Sequence, residues 1–175
     1  MNTVTEYIEK LGLLPHPEGG YYRQLYGNDE TGRKDISTIY YVLTANDISA
    51  FHRLHNVVEI WYFHAGEPLN IYVIDTDGEL TIHNLSTEVE MQVVIMPEQW
   101  FAAEIPSKQG FCLVGCAVAQ QGRKELRVTF VLAILPNKPI SCGLGCCCHC
   151  CTGHKLGGAI QGLGVSRDDL LHLVG

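Results

Sequence analysis

The chain has 175 residues, 46% of them apolar and 18% charged, which suits one globular domain with a real core and excludes disorder throughout. Its formal net charge is −7, with six Lys/Arg against sixteen Asp/Glu through Val118 and six against three from Ala119 on, so the acidic body excludes nucleic acid as the main partner. No apolar run approaches a membrane span, and the opening MNTVTEYIEKLG lacks the basic flank and cleavage site of a signal peptide, so a cytoplasmic protein is expected.

In chain order, Thr3-Val4-Thr5-Glu6 reads as a capping box, with Val4, Ile8 and Leu11 on one helical face and Gly12 as the stop. Pro15 to Gly20 (PHPEGG) is not helical, because each proline restricts the residue before it and two glycines follow. Strands are predicted over Tyr21–Tyr26, Ile36–Leu43, Ile48–Leu54, Glu59–Ala65, Leu69–Ile74, Glu79–Asn84, Met91–Ile95, Trp100–Ile105 and Phe111–Val118. Asp77-Gly78 is the strongest hairpin signal among the turns between them. Many short, evenly spaced strands make an all-β sandwich or small barrel. Arg127–Leu135 can supply one more strand, and Ser166 to Asp169 opens a short C-terminal helix.

Cysteine use divides the chain. Cys112 and Cys116 sit in a strand pattern, where buried free thiols are common, while the other six crowd into Cys142–Cys151. A disulfide framework would spread its cysteines along the fold. The crowded segment has enough thiols for zinc or copper(I), but its spacing is that of a low-complexity tail rather than of a tetrahedral site. The organisation is therefore a β domain over 1–119, a Cys/Gly-rich loop or partly disordered segment over 120–162, and a helix over 163–175.

His52 and Glu59 are the candidate catalytic residues, since an imidazole and a carboxylate in an apolar barrel can move protons near neutral pH. The alternative is a buried structural pair, because a buried Glu needs a partner merely to be tolerated. Strand alternation puts His52 and Leu54 on one face and Arg53 and His55 on the other. Arg23 and Arg53 are candidates for holding phosphate, against the plainer reading of a surface salt bridge. Phe51, Trp61, Phe63 and Trp100 are core by default but can line a seat for a planar base or sugar ring. Tyr40, Ser49 and Gln99 complete the candidate ligand contacts.

The blocks HPEGGYYRQLY (16–26), STIYYVLT (37–44), SAFHRL (49–54), EIWYFHAGEPL (59–69), MPEQWFAA (96–103) and FCLVGCAVA (111–119) resemble a branch of the cupin superfamily whose members are largely of undefined function. The resemblance implies an all-β cupin jelly-roll β-barrel with a short N-terminal and a short C-terminal helix, usually a homodimer, with the ligand in the barrel. Ser49, His52, Arg53, Glu59 and Trp61 match positions typical of the family. Of the cupin metal slots, one reading holds His52, Leu54 and Glu59, the other Arg53, His55 and Glu59, and the later slot holds Ala102. Either way ligands are missing, so no metal or other cofactor is expected. Within the superfamily the branch looks nearest to nucleotide-sugar epimerases and sugar-phosphate isomerases. The function this implies is binding of a nucleotide, nucleotide sugar or sugar phosphate, with epimerase or isomerase chemistry by a metal-free His/Glu pair. The alternatives are a non-catalytic cupin binding module and a metal-dependent cupin oxidase or dioxygenase.

Overall fold

The computed structural model describes residues 3–17, 19–27, 35–120 and 127–130. The Cys142–Cys151 cluster, the expected C-terminal helix and the part of Arg127–Leu135 beyond residue 130 lie outside the described residues. Helix α1 runs Val4–Leu11, and Thr3 and Glu6 cap it reciprocally: the Glu6 carboxylate accepts from Thr3 N at 2.6 Å and Thr3 Oγ1 accepts from Glu6 N at 3.3 Å. Gly12 ends it in the left-handed region at φ 62°.

Among the described residues eleven strands follow: β1 (Leu14–Pro15), β2 (Tyr21–Tyr26), β3 (Ile36–Thr44), β4 (Ile48–His55), β5 (Val57–Gly66), β6 (Leu69–Ile74), β7 (Leu80–Leu85), β8 (Gln92–Ile95), β9 (Trp100–Glu104), β10 (Phe111–Gln120) and β11 (Arg127–Phe130). They form a six-stranded sheet in the order β1-β2-β3-β10-β5-β8 and a five-stranded sheet in the order β11-β4-β9-β6-β7. All named strand pairs are antiparallel. Two antiparallel sheets packed face to face, with strands exchanging between them, are a jelly roll. Among the described residues no helix is long and apolar enough to cross a membrane.

Strand alternation decides which side chains meet between the sheets. Tyr41, Leu43, Leu54, Trp61, Phe63, Ile71, Val93, Ile95, Phe101, Ala103, Val114 and Cys116 face inward and pack as one cluster, joined at its margin by Tyr22, Ile39 and Val118. On the outer face of the six-stranded sheet Val4, Tyr7, Ile8 and Leu11 of α1 cover Tyr21, Tyr40, Val42, Phe111 and Leu113. The helix is therefore a lid on one sheet and contributes nothing to the interior.

Two local features set the register around the site. Between Ser49 and His52 the β4–β9 pairing slips: Ser49 faces Ala103 and His52 faces Phe101, so Ala50 and Phe51 stand opposite Ala102 alone. Because of this bulge Ser49 and His52, three residues apart, share the inner side. At the far end of β5, Gly66 adopts φ +101°, and a Cβ there would lie 2.1 Å from Phe111 O, so only glycine lets β5 turn against β10.

Candidate active site in the barrel interior

Glu59 sits on β5 between Val118 of β10 and Ile95 of β8 and is only 8% exposed. Two residues along, Trp61 lies on the same side, and its indole Nε1 donates to Glu59 Oε1 at 2.9 Å. Burial pushes the carboxyl up to about 7, and the indole hydrogen bond, which favours the ionised form, offsets that only in part. The Cys116 thiol, across from Trp61, is held neutral by burial first and then by the Glu59 and Cys112 groups, and so behaves as a small apolar filler.

His52 approaches from the other sheet. Its ring lies on Phe101 at 4.0 Å between centroids, and its Nδ1 is 2.8 Å from Ala50 O. A carbonyl oxygen only accepts, so Nδ1 carries the hydrogen and, in the neutral ring, Nε2 is the basic nitrogen. Burial lowers its pKa, the Ala50 carbonyl opposes this, and His16 adds to the lowering. Aromatic rings connect the two walls: Phe101 meets Trp61 edge-on at 6.4 Å, and Trp61 meets Tyr41 at 6.0 Å.

Of the expected site residues, Ser49, His52, Glu59, Trp61 and Phe63 thus lie on the inner faces of the two sheets, with Trp61 bonded to Glu59. Phe51 is buried in the β4 bulge. Arg23, Tyr40, Arg53 and Trp100 lie elsewhere. Arg23 reaches out over α1, where Nη1 donates to Leu11 O at 2.8 Å and so caps the helix C-terminus. Tyr40 is on that outer face too, 5.7 Å from the ring of His64, which itself lies over Gly115. Arg53 pairs with Trp100 across β4 and β9, on the side opposite His52 and Phe101. Its guanidinium stacks over the Trp100 ring at 4.8 Å, and Nε is 3.8 Å from a Glu98 carboxylate that also takes His55 Nδ1 at 2.8 Å. Gln99 closes the 96–99 turn, its Oε1 accepting from Met96 N at 2.8 Å. The arginines expected to hold phosphate therefore do not share a surface with His52 and Glu59, because the residue before or after an inward side chain on a strand points out.

His16 is a half-buried group at the margin of the core that sequence reasoning did not single out. Its ring packs on Tyr22 at 4.9 Å and Tyr41 at 5.4 Å, and burial lowers its pKa. The only signal was its place in the PHPEGG turn.

The donor set does not fit a metal. Among the described residues no three His, Cys, Asp or Glu side chains converge, Leu54 fills one inner slot with hydrocarbon, and alternation turns Ala102 away from the interior. Of the slots named from the sequence only His52 and Glu59 carry donor side chains, fewer than a catalytic centre uses.

A jelly roll with its polar groups on the inner walls of both sheets defines a cupin barrel. The family model described as cupin superfamily (DUF985) matches residues 5–120, and the chain belongs to that family. A crystal structure of a Shewanella oneidensis protein is similar at 34% identity and TM-score 0.63, covering 74% of this chain and 85% of that one. A hypothetical protein from Leishmania major is similar at 28% identity and TM-score 0.60, covering 67% and 81%. Bacillus subtilis oxalate decarboxylase shares the fold at 16% identity and TM-score 0.54, covering 72% of this chain and 33% of that one. No curated protein matches the chain.

Proposed function

We propose that this cupin binds a small sugar-type molecule between its sheets and exchanges a proton with it, as an epimerase or isomerase does. The observation that carries the reading is a basic imidazole and a carboxylic acid on the inner faces of opposite sheets, where burial lowers the one and raises the other and so reverses their usual order of proton affinity. His52 Nε2 takes the proton from the carbon beside a carbonyl, leaving an enolate. Glu59, which keeps its proton up to about pH 7, returns one to that carbon or to the carbonyl oxygen. Both groups then re-equilibrate with water, so no oxidant or reductant is consumed. Tyr22, Tyr41, Trp61 and Phe101 give a ring-shaped ligand apolar faces to lie on.

The ligand class is a sugar, a nucleotide sugar or a sugar phosphate. Because Arg23 and Arg53 are engaged outside, the interior is matched to the uncharged sugar portion, with any phosphate reaching beyond it. The protein would act as a homodimer in this reading, without nucleic acid or membrane partners. A competing reading is a binding module without turnover, favoured by one observation: the Trp61 indole already satisfies a Glu59 oxygen, as a structural carboxyl would require.

A thermal-shift panel of sugars, nucleotide sugars and sugar phosphates tests binding, since a ligand at a hundred times its Kd stabilises the fold by about 2.7 kcal/mol. Each hit is then assayed for epimer or isomer formation. Stabilisation with turnover that His52→Ala lowers about a hundredfold or more supports the enzyme. Stabilisation without turnover supports the module, and no stabilisation by any sugar defeats both.

A further inference from the structure

We propose that the outer face of the five-stranded sheet carries a second binding site, where Arg53, stacked on Trp100, takes the carboxylate of a small molecule. The site is separate from the barrel interior and does not depend on a sugar binding there.

Arg53, Trp100 and Ile74 form one row across β4, β9 and β6. Trp100 stands in the middle of that row, only 7% exposed, and the Arg53 guanidinium lies over its ring at 4.8 Å. Stacking on a fixed ring restrains the guanidinium. The turn over 96–99 closes the adjoining side. Glu98 N donates to Leu54 O at 3.0 Å and so pins the turn to β4. Glu98 adopts φ 69°, a left-handed conformation that a glutamate keeps only where its surroundings hold it. Its carboxylate is thereby set beside His55, whose Nδ1 lies 3.0 and 2.8 Å from the two oxygens. The same carboxylate stops 3.8 Å from Arg53 Nε, beyond hydrogen-bond range.

Arg53 therefore has a counter-charge nearby but donates no hydrogen bond among the described residues, and its Nε is buried without an acceptor. A buried donor without an acceptor is unfavourable, and a guanidinium has five N–H groups to satisfy. The two oxygens of a carboxylate accept from two adjacent N–H groups in the guanidinium plane. Because the stack already restrains that plane, little rotamer freedom is lost on binding. Charge selects the ligand. One guanidinium matches one negative charge, and Glu98 repels a second. A singly charged carboxylate thus fits better than a phosphate monoester, which is close to doubly charged at neutral pH.

The indole N–H signal of Trp100, told from that of Trp61 by Trp61→Phe, reports on the site in the full chain by proton–nitrogen NMR. At pH 7 and constant ionic strength, acetate should move this signal along a saturating curve. Chloride should not, and inorganic phosphate should bind more weakly than acetate. Arg53→Gln should weaken acetate binding about tenfold or more. Arg53→Lys, which keeps the charge but loses the planar fork, should weaken it as well, and Glu98→Gln should tighten it. An acetate response that is linear, matched by chloride, or unchanged in Arg53→Gln overturns the proposal. Tighter binding of phosphate than of acetate overturns the choice of carboxylate. If Arg53→Gln does not fold, Arg53→Lys against wild type decides. No sugar is present, so this result and the test of the interior site stand or fall separately.

Discussion

Replacing Glu59 with glutamine asks directly whether this carboxyl is kept protonated by its surroundings. The group titrates at about 7 in the fold against an ordinary value of 4.5. Below pH 4.5 folded and unfolded chains both hold the proton, and Glu59 contributes nothing to the pH dependence. Between 4.5 and about 7 the folded chain keeps a proton that the unfolded chain has released, so stability falls as pH rises. Above 7 the whole cost is present, about 3 kcal/mol at 1.36 kcal/mol per pH unit. Glutamine mimics the protonated acid, can still accept from the Trp61 indole, and has no such dependence. The variant's stability relative to wild type should therefore rise by about 3 kcal/mol from pH 4.5 to pH 8. His16 and His52 act with the opposite sign, since lowered values cost stability as pH falls, but they are present in both proteins and largely cancel in the difference. Urea unfolding followed by tryptophan fluorescence at several pH values measures it. A difference that stays flat, or that shrinks with rising pH, would refute the buried-acid argument.

Further predictions follow from named contacts. Trp61→Phe removes the indole N–H that favours ionised Glu59, so the carboxyl should titrate above its wild-type position, visible by carboxyl-carbon NMR. Gly66→Ala must accommodate a Cβ near Phe111 O at positive φ, and thermal unfolding should show a loss of about 2 kcal/mol or more. Arg23→Gln removes the cap on Leu11 O and should cost about 1 kcal/mol in urea unfolding, with ligand affinity unchanged.

The fold was legible because period-two patterning marked almost every strand: β2 and β6 have the expected bounds, and the capping box and Gly12 delimit α1 as read. The strand β1, two residues beside a proline, carries too little pattern to be seen. In the site, alternation already separated His52 from Arg53, and the structure keeps them apart. What single-strand reasoning lacked was the other sheet. It could not show that Arg23 would cap a helix, that Trp100 would sit beneath Arg53, or that the β4 bulge would turn Ser49 inward beside His52. The placement of His16 escaped notice because Tyr22 and Tyr41, the rings it packs on, are brought together only by β2–β3 pairing.

The proposed proton exchange has a direct readout. Wild-type protein incubated in D2O with each sugar, nucleotide sugar or sugar phosphate that stabilises it should place deuterium on the carbon adjoining the carbonyl, read by mass spectrometry. His52→Ala should lose that exchange by about a hundredfold or more. Exchange undiminished in His52→Ala, or none with any bound sugar, would contradict the assignment of base and acid to these facing walls.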